Sequence, residues 1–264
     1  MIRGLLAIDL DGTLLNSSGQ LSEGNAAALH DAVAAGYVVA PATARWYQAA
    51  IRPFAQVGLQ VAAIAAAGAD VRLVDGNVAE QRPLPREVVD FLIDLCERAQ
   101  WVATLTTPPR AYRRANELPP WAANAPEWLK PVTSLEEARS DVVLSLLAEL
   151  REGDPYLIEL EAWSGRLSMH NAVSFNGDAL LTVTAAGVDK GTALAALCRA
   201  TGVAAADVVA IGDSEVDLPM FAVAGRSVAM ANAHEAVQTR ATSVTGSADE
   251  DGVAQAIRGL LARD

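Results

Sequence analysis

Five short apolar runs, at 4–10, 37–40, 61–66, 208–211 and 227–230, are separated by stretches whose apolar residues fall at helical spacing. A short run of this kind, apolar at nearly every position, predicts a strand buried on both faces of a parallel sheet. The intervening stretches predict helices over 23–35, capped by Ser22 and stopped by Gly36, and over 46–54, 190–201, 218–223 and 252–262. Residues 71–74 and 78–81 flank Asp75-Gly76-Asn77 as a hairpin. Strands alternating with helices imply the α/β class, with a doubly wound, mostly parallel, Rossmann-like sheet.

The alternation stops after Arg82 and resumes near Gly187, which predicts a core made of 1–82 and 184–264 and an inserted α+β unit over 83–183. Within the insert, 86–99 reads as a helix and 142–147, 156–160 and 166–169 as strands. Six of the 12 prolines lie between Pro108 and Pro131, a stretch that also carries Arg110, Tyr112, Arg113, Arg114, Trp121 and Trp128. In an acidic protein the three arginines read as a solvated loop in preference to a contact for a second anionic group. The two tryptophans read as core of the insert in preference to a stacking platform.

The net charge of −12, from 32 acidic and 20 basic residues, speaks against nucleic acid and anionic membrane as partners. A small phosphorylated molecule remains compatible, because a local pocket can oppose the global field. Cys96 and Cys198 are too few and too far apart for a disulfide framework. The opening residues lack a secretory signal, and no apolar stretch is long enough to span a membrane. The expectation is a cytoplasmic protein, monomeric or weakly homodimeric. His30, His170 and His234 share no ligand-like spacing, so no zinc site is expected.

Chemistry concentrates in Asp9-Leu10-Asp11-Gly12-Thr13, at the end of the first predicted strand. Open α/β sheets hold ligands at the carboxyl ends of their strands. Side chains two apart on an extended segment face the same way, so both carboxylates address one centre. One can stay ionised as nucleophile or metal ligand while the other moves a proton. Two such charges call for a cation, and hard oxygen ligands select Mg²⁺. Asp213, in the turn Gly212-Asp213-Ser214-Glu215-Val216-Asp217, supplies a third carboxylate; Lys190 and Thr43 offer a charge and a hydroxyl to an anion.

In this order the residues resemble the haloacid dehalogenase-like superfamily and, within it, the Cof-type sugar-phosphatase branch. The segments that carry the resemblance are DLDGTL at 9–14, ATAR at 42–45, GVDKGTAL at 187–194 and GDSEVDLPMF at 212–221, with VAMANA at 228–233 and EDGVA at 250–254. The resemblance implies a Mg²⁺-dependent phosphomonoesterase acting on a sugar phosphate or related metabolite, with the insert as a cap that sets specificity. Asp9 would attack phosphorus and become an aspartyl-phosphate. Asp11 would protonate the leaving alcohol and then deprotonate water. Asp9, Asp213 and the backbone carbonyl of Asp11 would hold the metal. Leu10, Thr43, Ala44, Arg45 and Lys190 form the implied phosphate- and substrate-binding set, with Asp217 and Ser214 as supporting residues.

Three positions depart from the family pattern. Ala44 stands where Gly is usual, Val216 where Asn is usual, and Ala67-Gly68 where Asn-Gly is usual. Ala44 keeps its amide available if its φ is negative. Val216 removes a polar group expected near phosphate, worth about 1.5–3 kcal/mol if it bonds a charge. These departures motivate the alternative of a degenerate member that binds a phosphorylated ligand without efficient turnover. Intact Asp9, Asp11, Lys190 and Asp213 weigh against it.

Overall fold

The computed structural model describes residues 2–173 and 179–262, without the side chains of Trp121 and Val173; the reading of Trp121 as core therefore lies outside the described residues. The chain divides into two compact units, Met1–Glu80 with Asp189–Asp264, and Gln81–Val188.

The first unit begins with β1 (Gly4–Ile8), α1 (Glu23–Ala34), β2 (Tyr37–Pro41) and α2 (Tyr47–Gln56). Ser22 caps α1 by accepting the Asn25 N–H, as its position before Glu23 predicts. Next come β3 (Ala63–Ala65), β4 (Asp70–Arg72) and β5 (Val78–Gln81). β3 is shorter than the 61–66 run because Ala66, Ala67 and Gly68 all turn to positive φ, at 51°, 54° and 105°.

The inserted unit runs through α3 (Arg86–Ala99), β6 (Val102–Thr106), β7 (Ala111–Arg114), β8 (Leu129–Val132), β9 (Ser145–Leu150), α4 (Leu157–Glu161), β10 (Leu167–Val173) and β11 (Ala179–Ala185). Its sheet has the order β10-β11-β9-β6-β7-β8, antiparallel except for β7 beside β8. Val88, Leu92 and Cys96 of α3 share a core with Leu105, Leu146, Leu181 and Val183, which alternate along their strands.

Two expectations for the insert are corrected. Residues 156–160 form a helical turn, not a strand: the Asp154 carboxylate accepts the Tyr156 N–H and starts the turn, burying Leu160 and exposing Ile158. Arg113 and Arg114 lie on β7, not in a solvated loop. Arg114 is 2% exposed and donates to the Trp101 carbonyl, Asn116 and Glu97. Arg113 donates to Thr104 and Glu149, whereas Arg110 is exposed. The proline-rich stretch hides two strands, and Pro131 is tolerated in β8 because that strand lies at the sheet edge.

The first unit resumes with α5 (Lys190–Thr201), β12 (Val208–Gly212), α6 (Leu218–Val223), β13 (Arg226–Ala229), α7 (Glu235–Gln238), β14 (Ser243–Val244) and α8 (Gly252–Leu261). Its parallel sheet has the order β14-β13-β12-β1-β2. Beyond β2 it continues through the Ala42–Ile64 bridge and the Ala62 N–H to Val39 carbonyl bond. Leu6 and Ile8 of β1 pack with Leu29 of α1 and Ile257 of α8, while Leu5 and Ala7 pack with Leu194 and Leu197 of α5. Helices thus cover both faces. The chain leaves β1 toward β2 on one side and later fills β12 on the other, so the order reverses beside β1, and a ligand crevice opens at its carboxyl end.

Candidate active site

Asp9 is the first residue past β1 and Lys190 the first residue of α5. Asp189 caps α5 reciprocally with Thr192, which fixes the direction in which the lysine leaves the helix. Lys190 Nζ reaches Oδ1 of Asp9 at 2.6 Å and Oδ1 of Asp217 at 2.6 Å. All three side chains are buried, Asp217 completely. Asp217 Oδ2 accepts the N–H groups of Asp213 and Ser214 at 3.0 Å each and the Ser214 hydroxyl at 3.1 Å. Ser214 and Asp217 thereby form a capping box that fixes the turn after β12. The same turn carries Asp213, whose Oδ1 accepts the Thr13 hydroxyl at 3.0 Å.

The outer side of the site is built differently. Asp11 follows Asp9 by two residues and meets Arg45, whose Nε lies 2.9 Å from Oδ2 and whose Nη2 donates to Oδ1. Arg45 is held through its backbone: its N–H donates to Thr43 Oγ1 at 3.2 Å, and its carbonyl accepts the Ala66 N–H at 2.8 Å. Thr43 is buried, its N–H on the Ile64 carbonyl and its own carbonyl on the Ala67 N–H. Leu10 is buried, and Ala44 is half-buried and free of positive φ.

Comparison with known proteins gives the family. The family model for haloacid dehalogenase-like hydrolases matches residues 6–257. The chain belongs to that family. It is 30% identical to the 5-amino-6-(5-phospho-D-ribitylamino)uracil phosphatase YcsE of Bacillus subtilis, over 96% of this chain and 94% of that protein. The fold matches a haloacid dehalogenase-like hydrolase from B. subtilis, with TM-score 0.84 at 24% identity over 97% of this chain and 99% of that one. It also matches the subclass IIB sugar phosphatase BT4131, with TM-score 0.80 at 23% identity over 97% and 98% of the two chains.

As a haloacid dehalogenase-like hydrolase, the chain brings Asp9, Asp11, Thr43, Arg45, Lys190, Asp213, Ser214 and Asp217 to the end of β1, β2 and β12. Two contributors escaped the sequence reading. Thr13 orients Asp213, and Asn232 ties two loops by donating to the Gly12 carbonyl at 2.8 Å and accepting the Ala248 N–H at 2.9 Å. Both lie inside segments that carry the family resemblance, so the signal was present without a role attached. Gly12 has φ +81°, and a Cβ there would stand 2.5 Å from Asp213 Oδ2. At Gly68, φ +105°, a Cβ would stand 2.3 Å from the carbonyl oxygen of Asp189, the residue that caps the Lys190 helix.

The electrostatics suit a divalent cation. Carboxylate oxygens of Asp9, Asp213 and Asp217 lie within 4.8 Å of one another, and Lys190 offsets only one of the three charges. Burial, with the neighbouring Asp217 and Asp213 charges, pushes Asp9 well above the usual carboxylate range despite Lys190. Burial and Asp217 push Asp213 up to about 6. Burial alone would lower the Lys190 pKa, but Asp217 and Asp9 outweigh it and hold it above its ordinary value. Excess negative charge among oxygen donors only, with no thiolate or imidazole in the cluster, fits Mg²⁺. Asp217 has both oxygens engaged by Lys190 and the turn, whereas Asp9 and Asp213 are each engaged through Oδ1 by one side chain, Lys190 and Thr13.

Proposed function

We propose that the protein is a Mg²⁺-dependent phosphomonoesterase that hydrolyses a small phosphate ester, a sugar phosphate or related metabolite, through an aspartyl-phosphate on Asp9. The observation that carries this reading is the buried Asp9–Lys190–Asp217 arrangement beside Asp213, at the strand end where the sheet order reverses. Asp9, Asp213 and the Asp11 carbonyl would hold Mg²⁺, which when bound supplies positive charge against the phosphate oxygens. Lys190 neutralises the nucleophile and the transferring group together. Thr43 and the amides of Leu10 and Ala44 bind phosphate oxygens. Phosphoryl transfer depends chiefly on such positioning and charge compensation.

In the first half-reaction an Asp9 oxygen bonds to phosphorus, the ester P–O bond breaks, and a proton passes from Asp11 to the leaving oxygen. In the second, Asp11 takes a proton from water, the water oxygen bonds to phosphorus, and the bond between phosphorus and the Asp9 oxygen breaks. Inorganic phosphate leaves, and both aspartates return to their starting forms. An alkoxide needs that proton, whereas a departing halide does not, so Asp11 favours a phosphatase over a dehalogenase. The insert over 83–183 is the specificity-setting cap in this reading.

The test is phosphate release from sugar phosphates, nucleotides, 5-amino-6-(5-phospho-D-ribitylamino)uracil and an aryl phosphate, with Mg²⁺ and with chelator. We expect metal-dependent release that falls by at least about a thousandfold in Asp9→Asn while the fold persists. Release from none of these, the aryl phosphate included, overturns the reading in favour of a ligand-binding member without turnover.

A further inference from the structure

Arg45 has no partner in the scheme above except Asp11, and the form of that pairing carries a consequence. The guanidinium meets both oxygens of the carboxylate, one through Nε at 2.9 Å and the other through Nη2. Guanidinium nitrogens only donate, so a proton on Asp11 has to sit on a lone pair turned away from them. The two-point grip engages both Asp11 oxygens, so a leaving group would have to share one of them with the guanidinium. Opening one bond gives the leaving group an oxygen to itself.

The pair is built to open on one side. Arg45 and Asp11 are 32% and 40% exposed, and an ion pair that wet exchanges partners cheaply. The Arg45 backbone, by contrast, is fixed at both ends by Thr43 and Ala66, so only the side chain has freedom. A phosphate presents two oxygens in nearly the geometry of a carboxylate, and guanidinium can serve both kinds of anion on different edges.

We propose that Arg45 is a positioning residue that aims Asp11 at the leaving-group oxygen: an entering phosphate ester takes one edge of the guanidinium and frees one Asp11 oxygen, which takes a proton from solvent and holds it toward the leaving group while the other oxygen stays held. This rests on the acid/base role assigned to Asp11 above. Arg45 bridges the phosphate and the acid, and thereby sets the distance between them. A lysine at the same place keeps the charge but lacks the fork that holds two partners in one plane.

The experiment compares kcat and KM of the full chain, Arg45→Lys and Asp11→Asn on two substrates. One is the best alkyl phosphate of the panel above; the other is p-nitrophenyl phosphate, whose phenolate leaves without a proton. Arg45→Lys is expected to lower the alkyl-to-aryl ratio of kcat by about tenfold or more, with KM on both substrates changed by less than about threefold. Asp11→Asn should lower the same ratio further, and adding Arg45→Lys to it should change nothing more. An unchanged ratio overturns the inference, whether kcat falls equally on both substrates, as a structural role requires, or KM rises equally on both, as a plain phosphate contact requires. In those cases the phosphatase reading stands. Wild-type protein that hydrolyses neither substrate overturns both.

Discussion

Two aspartates of one three-residue segment, Asp9 and Asp11, are each held by a basic side chain, yet the two pairs have opposite physics. Lys190 and Asp9 are 5% and 8% exposed and share their charge with a fully buried Asp217. Arg45 and Asp11 stand at the rim, 32% and 40% exposed. In low dielectric, charges that lose a partner are costly, whereas at the surface water replaces the partner. The inner pair therefore belongs to the framework of the site and the outer pair to its working motions.

The contrast breaks most visibly through the inner lysine. Lys190→Met leaves Asp9 and Asp217 buried without their cation, and we expect a loss of about 3–5 kcal/mol of stability. Urea unfolding of the metal-free protein measures it. A variant within about 1 kcal/mol of wild type would show that the buried carboxylates are compensated by something other than Lys190.

The inner half was only partly legible in the sequence. Asp9 and Asp213 stand out because each follows an apolar run at a strand end, where chemistry-bearing residues gather. Lys190 is visible as the start of a helix, but its depth follows from how Asp189 caps that helix and from the close approach at Gly68, which no local pattern encodes. Asp217 reads as one more acid on a turn; only the folded turn makes it the acceptor of four hydrogen bonds. Ala66 and Ala67 show no turn signal, yet both adopt positive φ, a conformation in which Asn or Gly is at ease. That explains why the usual Asn-Gly at 67–68 is informative and why its change to Ala-Gly concealed the turn. In the insert the period-2 signal of β7 and β8 is masked by the surrounding prolines, and Tyr156 to Leu160 look like a strand because their helical turn depends on Asp154.

A second effect, of intermediate size, sharpens the comparison through pH. Burial and Asp217 raise Asp213 to about 6, from an ordinary value of 3.8. A carboxyl raised by folding stabilises the protein below its unfolded pKa and loses that contribution as pH climbs through the folded one. The metal-free protein should therefore lose on the order of 2–3 kcal/mol from this group between about pH 4 and pH 7, with Asp9 acting in the same direction. Bound Mg²⁺ favours the ionised carboxylates and reverses the trend. The Mg²⁺-induced rise in Tm should be larger at pH 7.5 than at pH 5, and Asp213→Asn should flatten the difference. An equal rise at both pH values would place the metal away from Asp213.

The smallest expected effect tests the outer half on its own terms. Arg45→Gln removes the cation from a bidentate pair, and counting hydrogen bonds alone would assign it a cost like that of Lys190→Met. The exposure of both partners argues otherwise. The carboxylate it leaves behind is hydrated, and the long side chain no longer pays the entropy of being held in one geometry. We expect the stability of Arg45→Gln to lie within about 1 kcal/mol of wild type, and the difference to shrink further as added salt screens the pair. Urea unfolding at low and high ionic strength measures both. A loss approaching that of Lys190→Met would make the outer pair part of the framework too, and a carboxylate anchored that firmly could not release an oxygen during turnover. A small, salt-sensitive loss leaves Asp11 free to move, as acid/base chemistry at the rim requires.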